Sequence, residues 1–475
     1  MPRQLPLTVP GLALMAILGC ATYHPLPLDR QAERRALAPP DMRAVTVQAA
    51  RIRHPLLEPV HLDLAQGLTP DQAAVVAVLT NPQLRVARDQ RGLVQAQVIQ
   101  AGLLPNPVAS YGQDIPTGGN DRGKVTGYDT RLGFDLTSLL TYALRREAAG
   151  AQAQAVDLDI AWQEWQVAQA ARMAAFHVLA LREELPLARS AEREARRTVT
   201  AMASAVRTGA VSGVEEAAAN SSWQQTRDGL LLLEQEEGRQ IRTLKALLGL
   251  PPGEPLVLRA DASLPEWPNL PSQEVLIEDV GERRLDLLAL KKGYESQDDR
   301  LRIAIRSQFP DIGIDLSHAR DTDNVVTTGY GVAIQLPLFD RGQGRVAYAS
   351  ATRQQLYDDF AARLFAARAE VAQILADLAT VRERLQSAHA ALPSLKAVAG
   401  AYEKATASGA VDLVAAQAAR AAYLSQAMAV VRLRAEQADL GLALEVASGC
   451  YLPGDPMSPA GAAAGGTPGH GRDPR

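Results

Sequence analysis

Side chains able to do chemistry are sparse in this chain and poorly placed for it. The seven histidines fall at 24, 54, 61, 177, 318, 389 and 470, and no two stand at i, i+4 to offer a metal one helix face. GxSxG, a Walker-type glycine-rich loop, HExxH and CxxC are all missing. His177, in AAFHVLALREE, reads as a helix-face histidine with a hydrogen-bonded ring rather than a ligand. Adjacent acids such as Glu183-Glu184, Glu215-Glu216 and Asp358-Asp359 read as exposed helix charge, not as a general acid and base. The expectation is a protein that is no enzyme, with no catalytic residue, no metal site and no cofactor.

Two thiols remain. Cys20 closes MPRQLPLTVPGLALMAILGC, where Arg3 precedes a short apolar stretch from Leu5 to Leu18. That stretch is too short to span a membrane and has the flanks of an export signal. Ile17-Leu18-Gly19-Cys20 is similar to the bacterial lipobox, in which a small residue before the cysteine permits cleavage and the thiol takes diacylglycerol. Residues 1–19 thus read as a lipoprotein signal peptide, with Cys20 the lipid attachment site and 20–67 a lipid-anchored extended segment. Ala21 follows Cys20, with no Asp to retain the chain at the inner membrane, which favours the outer one. An acylated Cys20 leaves Cys450 no partner for an internal disulfide.

The elements behind these residues are unusual in kind. Formal net charge is −4, so no basic field argues for nucleic acid. Aromatic residues are only 4 %, while alanine is abundant over 139–249 and 340–449, which suits long helices packed close together. Four strands are predicted by period-2 alternation. In TTGYGVAIQLPLFDRGQGR, Tyr330, Val332, Ile334 and Leu336 share one face, and Gly329, Gly331, Ala333 and Gln335 the other. Around Tyr128, the set Tyr128, Thr130, Leu132, Phe134 and Leu136 opposes Gly127, Asp129, Arg131, Gly133 and Asp135. Ile312, Ile314 and Leu316 oppose Asp311, Gly313, Asp315 and Ser317, and a weaker strand covers 108–115. Charges on the second face mean that it is wet. Strands of about 9–11 residues, apolar outside and polar inside, suit a membrane barrel. The joining loops at 116–124 and 319–325 are rich in Gly, Asp and Asn. Four strands cannot close a barrel, and an open edge in hydrocarbon leaves backbone groups unpaired. Two copies would supply eight strands and three would supply twelve.

The chain is also written twice, with a period of about 200 residues. GYDTRLGFDLTSLL (127–140) matches GYGVAIQLPLFDRG (329–342), RTGAVSGVEEAAA (207–219) matches ASGAVDLVAAQAA (407–419), and KALLGLP matches ALEVASG. Each unit reads helix, strand, strand, very long helix, glycine turn, long helix. The first long helix, near 139–207, would reach roughly 100 Å, with Pro186 and Pro393 bending the two helices locally. Repeat 1 spans 68–250 and repeat 2 spans 284–449. Between them 251–283 is a Pro-rich linker, and 450–475 is a tail expected to be disordered.

LTPDQAAVVAVLTNPQLRVAR (68–88), QAGLLPNPVASYG (100–112), VAIQLPLFDRGQG (332–344) and the two glycine turns carry a resemblance. Over 68–449 the chain resembles the TolC-like outer-membrane factors, the outer membrane efflux protein family. The resemblance implies a mainly α fold with membrane β. Two tandem repeats would form, as a homotrimer, a 12-stranded outer-membrane β-barrel continued by a long periplasmic α-helical barrel. It implies the passive channel of a tripartite efflux system, with a periplasmic adaptor (a membrane fusion protein), an inner-membrane pump and outer-membrane lipid as partners. Tyr128, Leu132, Phe134, Ile312, Ile314, Tyr330, Val332, Ile334 and Leu336 would face lipid. Arg207, Gly209, Ala210, Val211 and Ser212, with Ser408, Gly409, Ala410, Val411 and Asp412, would be the tips that touch the adaptor. PLFDRGQG is similar to the PLFDR-x-QG of the heavy-metal-efflux branch, which implies metal cations as cargo. One departure stands out: many members carry two aspartates after the second turn, and here only Asp412 is acidic, while Glu215 and Glu216 follow the first.

The alternative is a periplasmic coiled-coil adaptor or a structural lipoprotein without a pore. An adaptor would show one hairpin, not two units each preceded by two amphipathic strands, and a spacer would not charge the inner strand faces at Asp129, Arg131 and Asp135. The lipobox reading is checked by metabolic labelling. Cys20→Ala is expected to abolish incorporation of labelled palmitate, and equal labelling of the variant would remove Cys20 as the attachment site.

Overall fold

Capping side chains sit where the sequence passes from loop to helix, and they set most of the helix starts. The computed structural model describes residues 22–120, 122–267, 270–407 and 412–452. Contacts divide the chain into two units at Pro40. In the first, α1 (Arg30–Ala36) starts at Asp29, whose carboxylate accepts from the N–H groups of Gln31 and Ala32. In the second, Asp41 caps α2 (Met42–Ala49) in the same way. α3 (Pro70–Thr80) opens with a capping box of Thr69 and Gln72, and Asn81 caps α4 (Pro82–Ala101). The segment 20–67, expected to be extended, therefore holds two short helices; the caps at Asp29 and Asp41 are the signal for them.

After α4 come β1 (Val108–Asp114), β2 (Gly127–Asp135), α5 (Thr137–Arg207) and α6 (Gly213–Leu247). The connection to the second half contains α7 (Gln273–Glu278) and α8 (Val280–Arg283). The second half repeats the first as α9 (Leu285–Arg306), β3 (Asp311–Arg320), β4 (Val326–Gln335), α10 (Gln343–Ala407) and α11 (Leu413–Ser448). At 71 and 65 residues, α5 and α10 are roughly 105 and 100 Å long. Pro186 and Pro393 lie inside them without ending either helix.

The four strands form one antiparallel sheet in the order β1-β2-β3-β4. Its central seam joins the two repeats, with Leu132 opposite Leu316 and Phe134 opposite Ile314. β3 continues through Ala319 and Arg320, expected in a loop, because both find partners on β2 and β4.

α5 is the spine of the helical part, packed against α3, α4, α6, α9 and α11. Its buried positions include Ala161, Ala168, Ala171, Ala174 and Ala175, small side chains that let neighbouring helices approach closely. Each repeat closes on its own start. Gly249 and Gly449 end α6 and α11 with φ of 60° and 68°. A Cβ on them would come within 2.5 Å of the Thr80 carbonyl oxygen and 2.9 Å of Arg284 Cα respectively. Both the conformation and the close approach require glycine.

Two boundaries move. Residues 251–283 do more than link the halves: Leu258, Leu264, Trp267, Leu276 and Val280 are all buried. The tail, expected to begin at 450, is packed as far as Leu452. Its N–H donates to Glu445 at 3.2 Å and its carbonyl accepts from the Trp267 indole at 3.2 Å. The signal peptide, Cys20, the second turn at 408–411 and the tail from 453 lie outside the described residues.

Trp267 also explains a glycine inside α11. A Cβ on Gly441 would stand 2.2 Å from the Trp267 ring, so the linker lies directly on bare helix backbone there. Gly441→Ala is expected to destabilise the protein by about 1–3 kcal/mol through overpacking, although alanine is the better helix former. Thermal unfolding of the detergent-solubilised protein checks this. Adding Trp267→Leu should recover part of the loss, because the two sites are in contact.

Candidate functional site

The sheet has two chemically opposite faces, and the register decides which residues belong to each. Tyr111 pairs with Thr130, Leu132 with Leu316, Phe134 with Ile314, Ile312 with Ile334, Ile314 with Val332, and Leu316 with Tyr330. The apolar faces of β2, β3 and β4, read one strand at a time, therefore merge into one continuous surface. Leu132, Phe134, Ile312, Tyr330, Val332, Ile334 and Leu336 are all exposed in the single chain, and Tyr330 is 84 % exposed. Tyr128 is on the same face but sits above the apolar band, beside His318 and Arg320.

The opposite face is small and charged. Arg131 pairs with Asp129 at 3.1 Å, and Asp315 stands between Gly133 on β2 and Gly331 on β4. The Asp315 carboxylate occupies the place a Gly331 side chain would take, 2.6 Å from where its Cβ would be. Glycine on both neighbouring strands lets this acid lie along the sheet. All five aspartates of the four strands (Asp114, Asp129, Asp135, Asp311 and Asp315) are on this face.

At the far end of the first hairpin, local chemistry builds the turn. Gly209 has φ 75°, its N–H donates to Val206, and the N–H of Ala210 reaches back to Ala205 at 2.9 Å. This is a Schellman stop, and its glycine is there for the left-handed conformation, since open space surrounds it. Ser212 starts α6 through a capping box with Glu215, whose carboxylate accepts from the Ser212 N–H at 2.7 Å. That bond holds the Glu215 carboxyl below its ordinary range. Arg207, Gly209, Ala210 and Ser212 are exposed and Val211 is half-buried. On the second tip, Ser408, Gly409, Ala410 and Val411 lie outside the described residues. Asp412 occupies the N-cap position of α11 but makes no capping hydrogen bond through its side chain.

Between sheet and tips, a buried polar cluster clamps the repeats together. Glu445 on α11 is fully buried and accepts from Arg172 of α5 at 2.5 Å and from Gln169 at 2.8 Å. Arg172 also pairs with Asp71 of α3 at 2.8 Å, and its guanidinium stacks on Tyr451. Burial pushes the Glu445 carboxyl up to about 7 against the pull of these donors. Sequence reading missed this pair; its one signal is a lone acid in the apolar run LALEVASG.

The acid pair Glu183-Glu184 needs correction too. Glu184 is buried and pairs with Arg432 at 2.5 Å, while the partly exposed Glu183 pairs with Arg434 at 2.8 Å, so both fasten α5 to α11. His177 does make the hydrogen bond expected of it, with Asp439 at 2.8 Å, and that bond raises its pKa. Asp358 and Asp359 stay near the surface, the latter beside Arg363. Among the described residues no helix is long and apolar enough to cross a membrane.

Comparison with known proteins agrees with this geometry. Residues 276–450 match the family described as outer membrane efflux protein. Over 311 residues the chain is 27 % identical to the cobalt-zinc-cadmium resistance protein CzcC of Cupriavidus metallidurans, covering 63 % of this chain and 70 % of that one. Among solved structures, it superimposes on the outer-membrane channel OprN with a TM-score of 0.68 at 16 % identity, over 86 % of this chain and 96 % of that one. The open state of the Neisseria gonorrhoeae MtrE outer membrane channel gives 0.66 at 16 % identity, over 86 % and 98 %. The family match falls on the second repeat, and the fold of these outer-membrane channels is shared across both repeats.

Proposed function

We propose that this protein is the outer-membrane channel of a tripartite efflux system. It is a passive trimeric duct that takes substrates from a periplasmic adaptor and an inner-membrane pump to the exterior. One observation carries the reading: a four-stranded sheet with an apolar face, a charged face and two unpaired edges. Among the described residues, β1 and β4 each pair on one side only. In hydrocarbon every unpaired backbone group costs several kcal/mol, so the edges must meet other copies. With strands alternating in direction, β4 of one copy meets β1 of the next antiparallel, and three copies close twelve strands. The helical hairpins then project into the periplasm as a tube, which neither a single-hairpin adaptor nor a spacer without a pore requires.

The cargo we assign is divalent metal cations. Support comes from the name of the relative, a cobalt-zinc-cadmium resistance protein, and from the motif PLFDRGQG. An acidic inner strand face suits cations. Cys20 is assigned the lipid that anchors the N-terminus in the outer membrane, and the turns at 207–212 and 408–412 the contact with the adaptor.

The barrel is tested by two neighbouring substitutions on β4. Ile334→Arg puts a charge into lipid and should weaken membrane assembly by about 2–4 kcal/mol at mid-bilayer. Gln335→Arg points into the lumen and should assemble normally while changing single-channel conductance. Equal behaviour of the two would mean that the strand is no barrel strand.

The tips are tested by Ala210→Glu with Ala410→Glu, which spares both turn glycines. In a strain lacking the native protein, the double variant should form normal outer-membrane trimers, lose adaptor cross-linking, and fail to restore growth on cobalt, zinc or cadmium. Retained cross-linking and growth would take the partnership away from the tips.

A further inference from the structure

The outward face of the sheet changes character near the loops. From Leu336 to Tyr330 the apolar band extends about 20 Å along β4. Beyond it, on the same face, come Thr130 and Tyr128 on β2, His318 and Arg320 on β3, and Thr328 and Val326 on β4. Arg320 lies about 13 Å past Leu316 along its strand, above the apolar residues and next to the loops.

These groups hold one another in place. The Arg320 guanidinium sits over the Tyr128 ring, 5.2 Å from its centroid. The Tyr128 hydroxyl is 3.3 Å from His318 Nε2, and His318 Nδ1 is 2.9 Å from the Thr328 hydroxyl. One Arg320 nitrogen, Nη2, donates to the Thr126 carbonyl at 2.9 Å, while Nε is buried with no hydrogen-bond partner. No ion pair neutralises Arg320 among the described residues, and the outward strand face holds no acid: all five strand aspartates are on the other side. A cation with no ion-pair partner among the described residues, at the rim of an apolar surface, suits an anion from outside the chain. The guanidinium presents donors in a planar fork that matches phosphate, and a ring beneath it keeps the fork flat.

We propose that Tyr128, His318 and Arg320 form a binding site for the phosphate of a lipid headgroup in the leaflet on the loop side of the membrane, one site per chain. The proposal rests on the barrel reading above. The occupant is a lipid and not a soluble anion because the site opens onto the apolar band, where Leu316, Tyr330 and Val332 offer the acyl chains a surface. A phosphorylated glycolipid such as lipid A has the required chemistry.

The test uses the full-length trimer in phosphatidylcholine nanodiscs containing a few per cent of lipid A, or of lipid A stripped of its phosphates. After extraction into mild detergent, retained lipid is counted by mass spectrometry. Wild-type trimers should keep about three lipid A molecules and none of the dephosphorylated form. Arg320→Gln should lower retention about tenfold, equivalent to roughly 1.4 kcal/mol, with trimer mobility and conductance unchanged. Equal retention of the dephosphorylated lipid, or full retention by Arg320→Gln, would overturn the site. Displacement of lipid A by millimolar inorganic phosphate would make it a simple anion site and overturn the lipid assignment. Should Arg320→Gln fail to assemble, the two wild-type lipid arms decide alone. Wild-type protein that never inserts or conducts would bring down the barrel reading first, and this site with it.

Discussion

Backbone hydrogen bonding at the two edges of the sheet governs the rest of this molecule. Among the described residues neither β1 nor β4 has a partner on its outer side, and the face they share is apolar. Water could satisfy such edges, but water would not tolerate Tyr330, Val332 and Ile334 side by side. Lipid tolerates those side chains and not the edges. Closure with further copies reconciles the two demands, and it turns the charged face inward. Closure also explains the abundance of glycine on that inner face: Gly133, Gly313, Gly329 and Gly331 keep the lumen side low, so that Asp315 can lie flat against it.

A sheet shared by two repeats needs the helices beneath it to keep step. β2 and β3 come from different halves of the chain, so any slip between α5 and α11 would strain the seam between Leu132 and Leu316. The fastening on this line is electrostatic: Glu445 to Arg172, fully buried, with His177 to Asp439, Glu184 to Arg432 and Glu183 to Arg434 further along the same pair of helices. A buried ion pair adds little net stability over an apolar contact, but it penalises misalignment heavily, because a displaced partner leaves a charge alone. Alanine faces slide easily; charged pairs do not.

Much of this was legible in the sequence because it is written in short periods. Alternation over a few residues marks β2, β3 and β4 and assigns Ile312, Ile314, Val332 and Ile334 to one face. A glycine followed by Ser212 and Glu215 marks the first tip. What stayed hidden depends on partners far away in the chain. Nothing local to Glu184 says that Arg432 will cover it, and nothing near Trp267 says that it will lie on Gly441. The extension of β3 to Arg320 was missed for the same reason, since Ala319 and Arg320 gain their hydrogen bonds from strands that a single segment cannot reveal. The N-terminal helices were a different failure. Their caps at Asp29 and Asp41 are local and readable, but each helix is too short for periodicity to declare it.

Duplication leaves a mark on the symmetry of the assembled tube. In the trimer proposed above, three copies would present six hairpin ends, and the two repeats build theirs differently: the first starts its return helix with the Ser212 and Glu215 box, while Asp412 starts the second without a side-chain bond. The ring at that end is therefore sixfold in outline and threefold in chemistry. Identical partner subunits arranged around it, one at each end, would occupy two kinds of seat in alternation.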